Sequence, residues 1–577
     1  MKKLINIFNI GIVCCGMSVA LTACDSFLDE HTPQATLSDE QVKTADNAEA
    51  MVVSAYAIFT SAEDINSSFS MWNFDVRSDD AYKGGNGTSD GDVFHQLEIQ
   101  QGVLTTNWNL NDMWVRLYNS LSRVNSAIAL LNTTDYDKKQ QRLAEMKFLR
   151  AYGHFLLKRL YKHIPFVVNE NMTYDDYNEL SNTEYTNDEG WQLIIDDLTE
   201  AYTTLPATQE DKGRPTKAAA AAFLAKVYLY KAYHQDDAQT NQITSINKEE
   251  LEKVIEFTDP RLYTNYGLEA DLHNNFRPEE QYENGKESLW AIQYSRNDGS
   301  TYGNLNWSYG LIPPNIPNVT DGGCDFYKPS QNLVNAYRTG IDGLPLIDTF
   351  NQKDYDIATD NADPRLFLTV GIPGLPYMFN KNFMIEKKSI WSRSNGLYGY
   401  NISLKHNIDP ALIGSYLIKG SYWASSMNRI VLRYAEVLLN RAEAYAQLGQ
   451  TDQAVSLINQ LRTRANGSTQ MIASYPGSYG VKFYIANYRG SYSKDEVLKM
   501  VKMERRLELG MESERFFDLV RWGDAATVLN KYYAEEINDC AIYSDAHFTA
   551  NKDEYLPIPY EQLSASNGHY TQNIGNW

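Results

Sequence analysis

Cysteine is scarce in this 577-residue chain, with Cys 5, and three of the five, Cys14, Cys15 and Cys24, fall in the first two dozen residues. That leaves no disulfide framework and no CxxC redox or metal pair. Cys324 and Cys540 are open to two readings, one bridge or two buried thiols, so stability rests on a hydrophobic core, which a chain this long can supply. Positive charge is also short. Lys+Arg 52 against Asp+Glu 73 gives a net charge of −21, which repels polyanions and argues against a nucleic-acid groove or a basic lipid-binding face. Long apolar runs are missing beyond the extreme N-terminus, and the mean hydropathy is −0.46, so a multi-span membrane protein is excluded. Familiar catalytic patterns are absent too: the sequence contains no HExxH, GxSxG, Walker A or GxGxxG, and its nine histidines include no closely spaced ligand pair. Nothing argues for an enzyme. Carboxylates in plenty generate neighbours by chance, and a glycosidase pair is recognised only by its separation in space.

Aromatic rings with a polar handle are abundant, Tyr 40 and Trp 10 against Phe 21. Such rings suit surfaces that are apolar on one face and wet at the edge. The chain opens with Lys2 and Lys3, an apolar stretch from Leu4 to Leu21, and then Thr22-Ala23-Cys24. This reads as an export signal whose end is similar to a bacterial lipobox, in preference to a retained transmembrane helix. Cleavage before Cys24 would make it the acylated N-terminus and take the net charge from −21 to −23. Two or more acyl chains anchor a protein durably without a basic patch. Residues 1–23 are thus expected to be signal and 24–42 a tether, with 43–577 the folded body.

Within that body, helical regions are expected to bracket a long irregular one. Apolar residues recur at three and four in 43–60, 112–131, 143–161, 191–202 and the alanine-rich 216–233, whose small side chains imply close packing. A hairpin follows at 434–461, where Gly449 ends one helix and Thr451 is placed to cap the next. Its length of about 35 residues is that of a tetratricopeptide unit, without a clean consensus. Helices over 494–509 and 512–529 complete that side. Between 261 and 425 the period fades and Gly, Pro, Asn, Tyr and Trp take over, as expected of a functional loop region or short strands. The fold class is therefore mainly α, a helix-hairpin scaffold (43–260 and 426–577) displaying a loop-rich, short-strand region (261–425).

Three constellations carry possible chemistry. The charged run Glu504 to Gly523 is read as salt-bridged helix faces in preference to an anion site, because every arginine has a carboxylate within i,i+4 reach. The loop Asp79 to Asp92 offers oxygen ligands but fails the EF-hand spacing, so a solvated loop is favoured over calcium, with a polar rim to a ligand site as a further option. Trp114 and Trp522 lie in helical stripes and are expected in the core. Trp72, Trp108, Trp307, Trp391 and Trp423 lie among Asn, Gly and Ser. A pyranose presents a face of C–H groups and a rim of hydroxyls, so the set favours glycan contact, although any single ring packs as readily as it binds.

Several ordered motifs together resemble the SusD/RagB family of outer-membrane glycan-binding lipoproteins. They are Cys24-Asp25-Ser26-Phe27-Leu28-Asp29, Ala144 to Tyr152 with Pro165 after it, Gly213-Arg214-Pro215-Thr216-Lys217, Arg433 to Ala444, Glu504 to Gly523, and Leu556-Pro557-Ile558-Pro559 with Gln572-Asn573. Ile574 stands where that family often has proline, and Gly510-Met511-Glu512 varies its acidic-glycine spacing. The resemblance implies a TPR-like (SusD-like) fold, no cofactor or metal, and a non-catalytic protein that caps a SusC-like TonB-dependent transporter and captures oligosaccharide or polysaccharide for it. A structural lid of a transporter for peptide or another nutrient, with little glycan affinity of its own, and a surface glycoside hydrolase are the alternatives. The ligand loops it implies match 72–111 and 290–400 here. Within them Trp108, Trp307, Tyr309, Trp391 and Arg393, joined by Asp80 and Asn111, are expected to touch the ligand from their chemistry and loop position; no family motif fixes any of them.

Overall fold

The computed structural model describes residues 42–60, 73–236, 239–299, 303–420 and 423–577. The signal, Cys24, most of the tether and Trp72 lie outside the described residues. Helices dominate the two ends of the body: α1 (Ala45–Ala57), α2 (Asp92–Ile99), α3 (Trp108–Thr133), α4 (Lys139–Tyr161), α5 (Asn187–Thr204), α6 (Lys217–Ala232) and α7 (Lys248–Phe257), then α8 (Tyr434–Gln447), α9 (Thr451–Gly467), α10 (Lys494–Leu509), α11 (Arg515–Trp522) and α12 (Ala525–Glu536). Sequential helices pack as hairpins, α3 on α4, α4 on α5, α5 on α6, α8 on α9, and α6 also reaches α8 across the two ends. The alanine run explains that reach: Ala219, Ala220 and Ala221 are fully buried, so α6 meets its neighbours with little side-chain bulk between backbones. One hydrophobic core draws on residues from Ala48 to Ile558, with Trp114 and Trp522 inside it or at its edge.

Local signals set the helix limits. Ser493 and Glu496 form a reciprocal capping box at the start of α10, and Thr186 with Glu189 does so for α5. Gly449, at φ +76°, ends α8 as expected, but Thr451 is the first residue of α9 and makes no capping bond. The expected single helix over 512–529 is two, because Gly523 at φ +74° turns the chain between α11 and α12. α3 starts four residues earlier than the periodicity suggests: Asn107 accepts a hydrogen bond from the Asn109 backbone and caps it.

The middle of the chain is built from short strands and single turns. β1 (Ala81–Gly84) pairs antiparallel with β3 (Phe326–Pro329), and β2 (Ser288–Ile292) pairs antiparallel with β4 (Arg429–Arg433). The first pairing joins the two expected ligand loops into one unit. The second docks the loop region on the start of α8.

The charged run in α10 and α11 is buried rather than a solvated face. Arg505 donates to Asp518, while Arg506 reaches back to Asp80 at 2.7 Å and Arg515 to Asp79 at 2.8 Å. Glu504 and Glu508 receive Arg365, and Glu508 also receives Arg433 and Arg464. One local pair remains, Arg521 with Asp518 at i,i+3, and the other arginines of the run contact elements farther away in sequence instead of i,i+4 neighbours. Together Arg365, Arg433, Arg462, Arg464 and Lys405 face Asp363, Glu287, Glu504, Glu508 and Glu512, five cations against five carboxylates. This balanced cluster pins the loop region to the C-terminal helices.

Candidate functional site

β1 delivers Lys83 into the base of a glycine-rich loop, and the loop closes around it. The Lys83 ammonium donates to the carbonyls of Gly84 at 2.8 Å, Gly87 at 2.9 Å and Asp90 at 2.8 Å. Tyr398 and Phe326 flank it, and burial lowers its pKa against the attraction of Glu98 and Asp90. The backbone oxygens that a bound cation would use are thus occupied by a side chain of the protein itself. Glycine is required where the loop folds tightest: a Cβ on Gly85, at φ +74°, would sit 2.6 Å from the Phe326 ring, and one on Gly91 would sit 2.8 Å from Phe94.

Held this way, Asp90 accepts from the Asn86 backbone at 2.7 Å and from Arg393 Nη1 at 3.1 Å. Arg393 also donates to the Cys324 carbonyl, and its backbone N–H donates to Asp325. Beside the loop stands Trp108, the first residue of α3, with 51% of its surface exposed and one edge against Phe94 at 5.9 Å. Asn111, one turn along, accepts from Gln562 at 2.8 Å, and the Tyr560 backbone N–H donates to the Thr105 carbonyl at 3.0 Å. Leu104 and Tyr560 are exposed on the same side. Trp108, Leu104 and Tyr560 thus expose a shelf of apolar and aromatic surface beside a loop that carries carboxylate and guanidinium groups.

Trp108 and Asn111 share the first turn of α3, and Arg393 is tied to the adjoining loop through Asp90. Trp307 and Tyr309 belong to a second, half-buried group: Asn306 caps their short turn, and Tyr309 packs on His406 at 4.8 Å, with burial pushing its phenol up to about 12. Two expected contacts are corrected. Trp391 is only 3% exposed, set in a small core with Tyr377, Ile316, Ile402 and Leu404, so no ligand reaches its face. Asp80 is fully buried as the partner of Arg506, and Asp79 beside it is held at about 2 by Arg506 and Arg515 against the upward pull of burial. The first half of the supposed solvated loop is therefore a core strand. Trp423 is buried as well, its indole N–H donating to the Asp321 carbonyl. Cys324 and Cys540 are both free thiols. Asp90 belongs to the loop whose third reading was a polar rim, whereas the inward turn of Lys83 and the exposure of Leu104 and Tyr560 were not anticipated. The glycine density of 84–91 was the one local signal for the first two, and Tyr560 follows directly on the Leu-Pro-Ile-Pro motif. A 260 Å³ cleft between α10 and α12 is lined by Met503, Leu519 and Trp522 from the helices and by Ile347 and Phe350 from the loop region, and it includes none of the expected ligand residues.

A helix-hairpin scaffold that carries strand-tied loops defines a mainly α class of protein, and comparison with known proteins places it more closely. The chain belongs to the SusD family: that family's model matches residues 286–577, and a second, described as starch-binding associating with outer membrane, matches residues 26–229. SusD-like protein P2 of Formosa agariphila is 26% identical over 483 residues, covering 81% of each chain. The crystal structure of a SusD homologue from Bacteroides thetaiotaomicron superposes with a TM-score of 0.70 at 19% identity, covering 93% of this chain and 97% of that one. Surface glycan-binding protein A from the same organism, solved in complex with laminarihexaose, gives a TM-score of 0.61 at 20% identity, covering 92% and 99%. No helix among the described residues is long and apolar enough to cross a membrane.

Proposed function

We propose that this chain is a non-catalytic, lipid-anchored outer-membrane protein that captures oligosaccharide or polysaccharide outside the cell and passes it to a SusC-like TonB-dependent transporter, which it covers. The observation that carries the reading is the exposed Trp108 indole, held rigid by Phe94 and α3 and rimmed by Asn111, Asp90 and Arg393. An indole face stacks on the C–H face of a sugar ring while the rim bonds its hydroxyls. The laminarihexaose complex of a structural relative and the starch-binding description of the matching family model support the same ligand class. Cys24 is the acylated residue of this reading, and its lipid supplies the only membrane contact.

Isothermal titration with laminarin, soluble starch and other neutral polysaccharides tests it. Covering half an indole removes enough apolar surface that Trp108→Ala weakens binding about tenfold or more, with the melting temperature unchanged because the ring is half in solvent. Binding that survives Trp108→Ala unchanged would move the site elsewhere, and release of reducing ends from a bound glycan would make the protein a hydrolase.

A further inference from the structure

The charges around the shelf say which glycans it takes. Arg393 is its one exposed cation, and that guanidinium leans on Asp90. Lys83 has its ammonium turned inward onto three carbonyls. Lys328 is buried against Asp325, and Arg116 pairs with Asp112 on the next turn of α3. Glu98 receives the Lys83 backbone N–H and pairs with the neighbouring His95 ring. Two further carboxylates stand exposed, Asp92 at the start of α2, which feels only the inward-turned Lys83, and Glu561 next to Tyr560. Among the described residues, the loop, its strand partner and the start of α3 with Glu561 carry six carboxylates (Asp90, Asp92, Glu98, Asp112, Asp325 and Glu561) against four cations. The whole chain carries −21, so no distant field offsets this excess.

We propose that the shelf is built for uncharged glycans and discriminates against those bearing uronate or sulfate groups. The inference rests on the glycan-binding reading and deepens it. A neutral sugar presents hydroxyls that bond equally well to Asp90, Asn111 and the remaining Arg393 N–H groups. An anionic sugar finds no unpaired exposed cation and a net excess of two carboxylates. Two unit charges at about 8 Å in water weaken an anion by about fivefold at low ionic strength, and salt screens the effect.

The experiment compares laminarin and soluble starch with the carboxymethylated derivative of each, and adds alginate, using the full mature chain and titration at 10 mM and 300 mM NaCl. The expected result is a neutral parent that binds about fivefold or more tightly than its carboxymethylated form at low salt, with the gap closing at high salt. In Asp92→Asn with Glu561→Gln, two exposed positions that hold no bond in the fold, the gap should narrow to about twofold while the neutral parent binds as before. A carboxymethylated derivative or alginate that binds more tightly than the neutral glycans overturns the proposal and leaves glycan capture standing. A gap that ignores both salt and the double variant overturns it too, because the discrimination would then be steric. Failure of every polysaccharide to bind removes the glycan reading itself, and this inference with it.

Discussion

Glu508→Gln is the substitution that most directly tests how the scaffold holds its loops. Glu508 is fully buried and accepts from Arg433 at 2.7 Å on one oxygen and from Arg365 at 3.0 Å on the other, with Arg464 also bonded to it. Those three guanidiniums overcome burial and hold its carboxyl well below the usual carboxylate range. An amide of nearly the same shape removes one negative charge from a cluster in which five cations face five carboxylates. It also turns an N–H toward an arginine that can only donate. Breaking one partner of a buried ion network costs about 3–5 kcal/mol, because the opposite charge stays in a low dielectric. The measurement is guanidinium denaturation, comparing midpoints at a shared slope. Adding Arg464→Met restores the balance at four against four and should recover at least half of the loss, whereas Lys499→Ala, at an exposed pair with Asp348, should leave the midpoint where it was. A Glu508→Gln midpoint equal to wild type, or a double variant weaker than the single by the full cost of Arg464→Met, would show that charge balance is not what fastens the loop region.

Lys83→Met keeps the stem but strips the donor from three carbonyls, each costing about 1–3 kcal/mol unpaired, so amides 85–91 should exchange at least tenfold faster in hydrogen-exchange mass spectrometry, with glycan affinity falling alongside; unchanged exchange would remove Lys83 as the loop's organiser. Trp391→Ala should lower stability by about 3–5 kcal/mol in the same denaturation assay, while any glycan affinity left in the folded fraction stays at the wild-type value. For pH, Asp79 and Asp518 sit at about 2, below their unfolded value of 3.8, so their contribution is full above that value and is lost as pH falls toward 2. Burial raises Glu536 and Asp75 to about 7, so theirs is full below the unfolded carboxylate range and lost as pH climbs through 7. The melting temperature should therefore peak in mildly acidic buffer, and Glu536→Gln should flatten the decline toward pH 8; a steady rise to pH 8 would contradict the burial of these carboxyls.

Much of the scaffold was legible because helices advertise themselves locally. α10 was readable from Val497, Met500, Val501 and Leu507 at helical spacing, and it begins at the Ser493 capping box. The turn at Gly523 was not read because α11 and α12 present apolar residues in nearly continuous phase across it. Arg506 was placed in the right helix with the wrong partner, since Asp80 lies 426 residues away and no local rule connects them. Periodicity reports which face of a helix is buried; it says nothing of what is buried against it.

The site was legible in part for a related reason. A region short of helices still has to bury apolar surface, and with few aliphatic stripes available it does so with large rings. Tyr377 and Trp391 fill one small core beneath the loops, and Trp423 fills another with Ile408, Leu417 and Met427. Aromatic richness in 261–425 is therefore largely the packing of small cores, and counting tryptophans overstates the binding surface. Trp108 escapes this because it opens a helix: its backbone is fixed by the Asn107 cap, its inner edge is taken by Phe94, and nothing from the core reaches its outer face. A ring at a helix start, beside a loop whose own lysine fills the space of a cation, is both rigid and uncovered. Those are the two properties a stacking platform needs, since a mobile ring would lose to ordering entropy what it gains in contact.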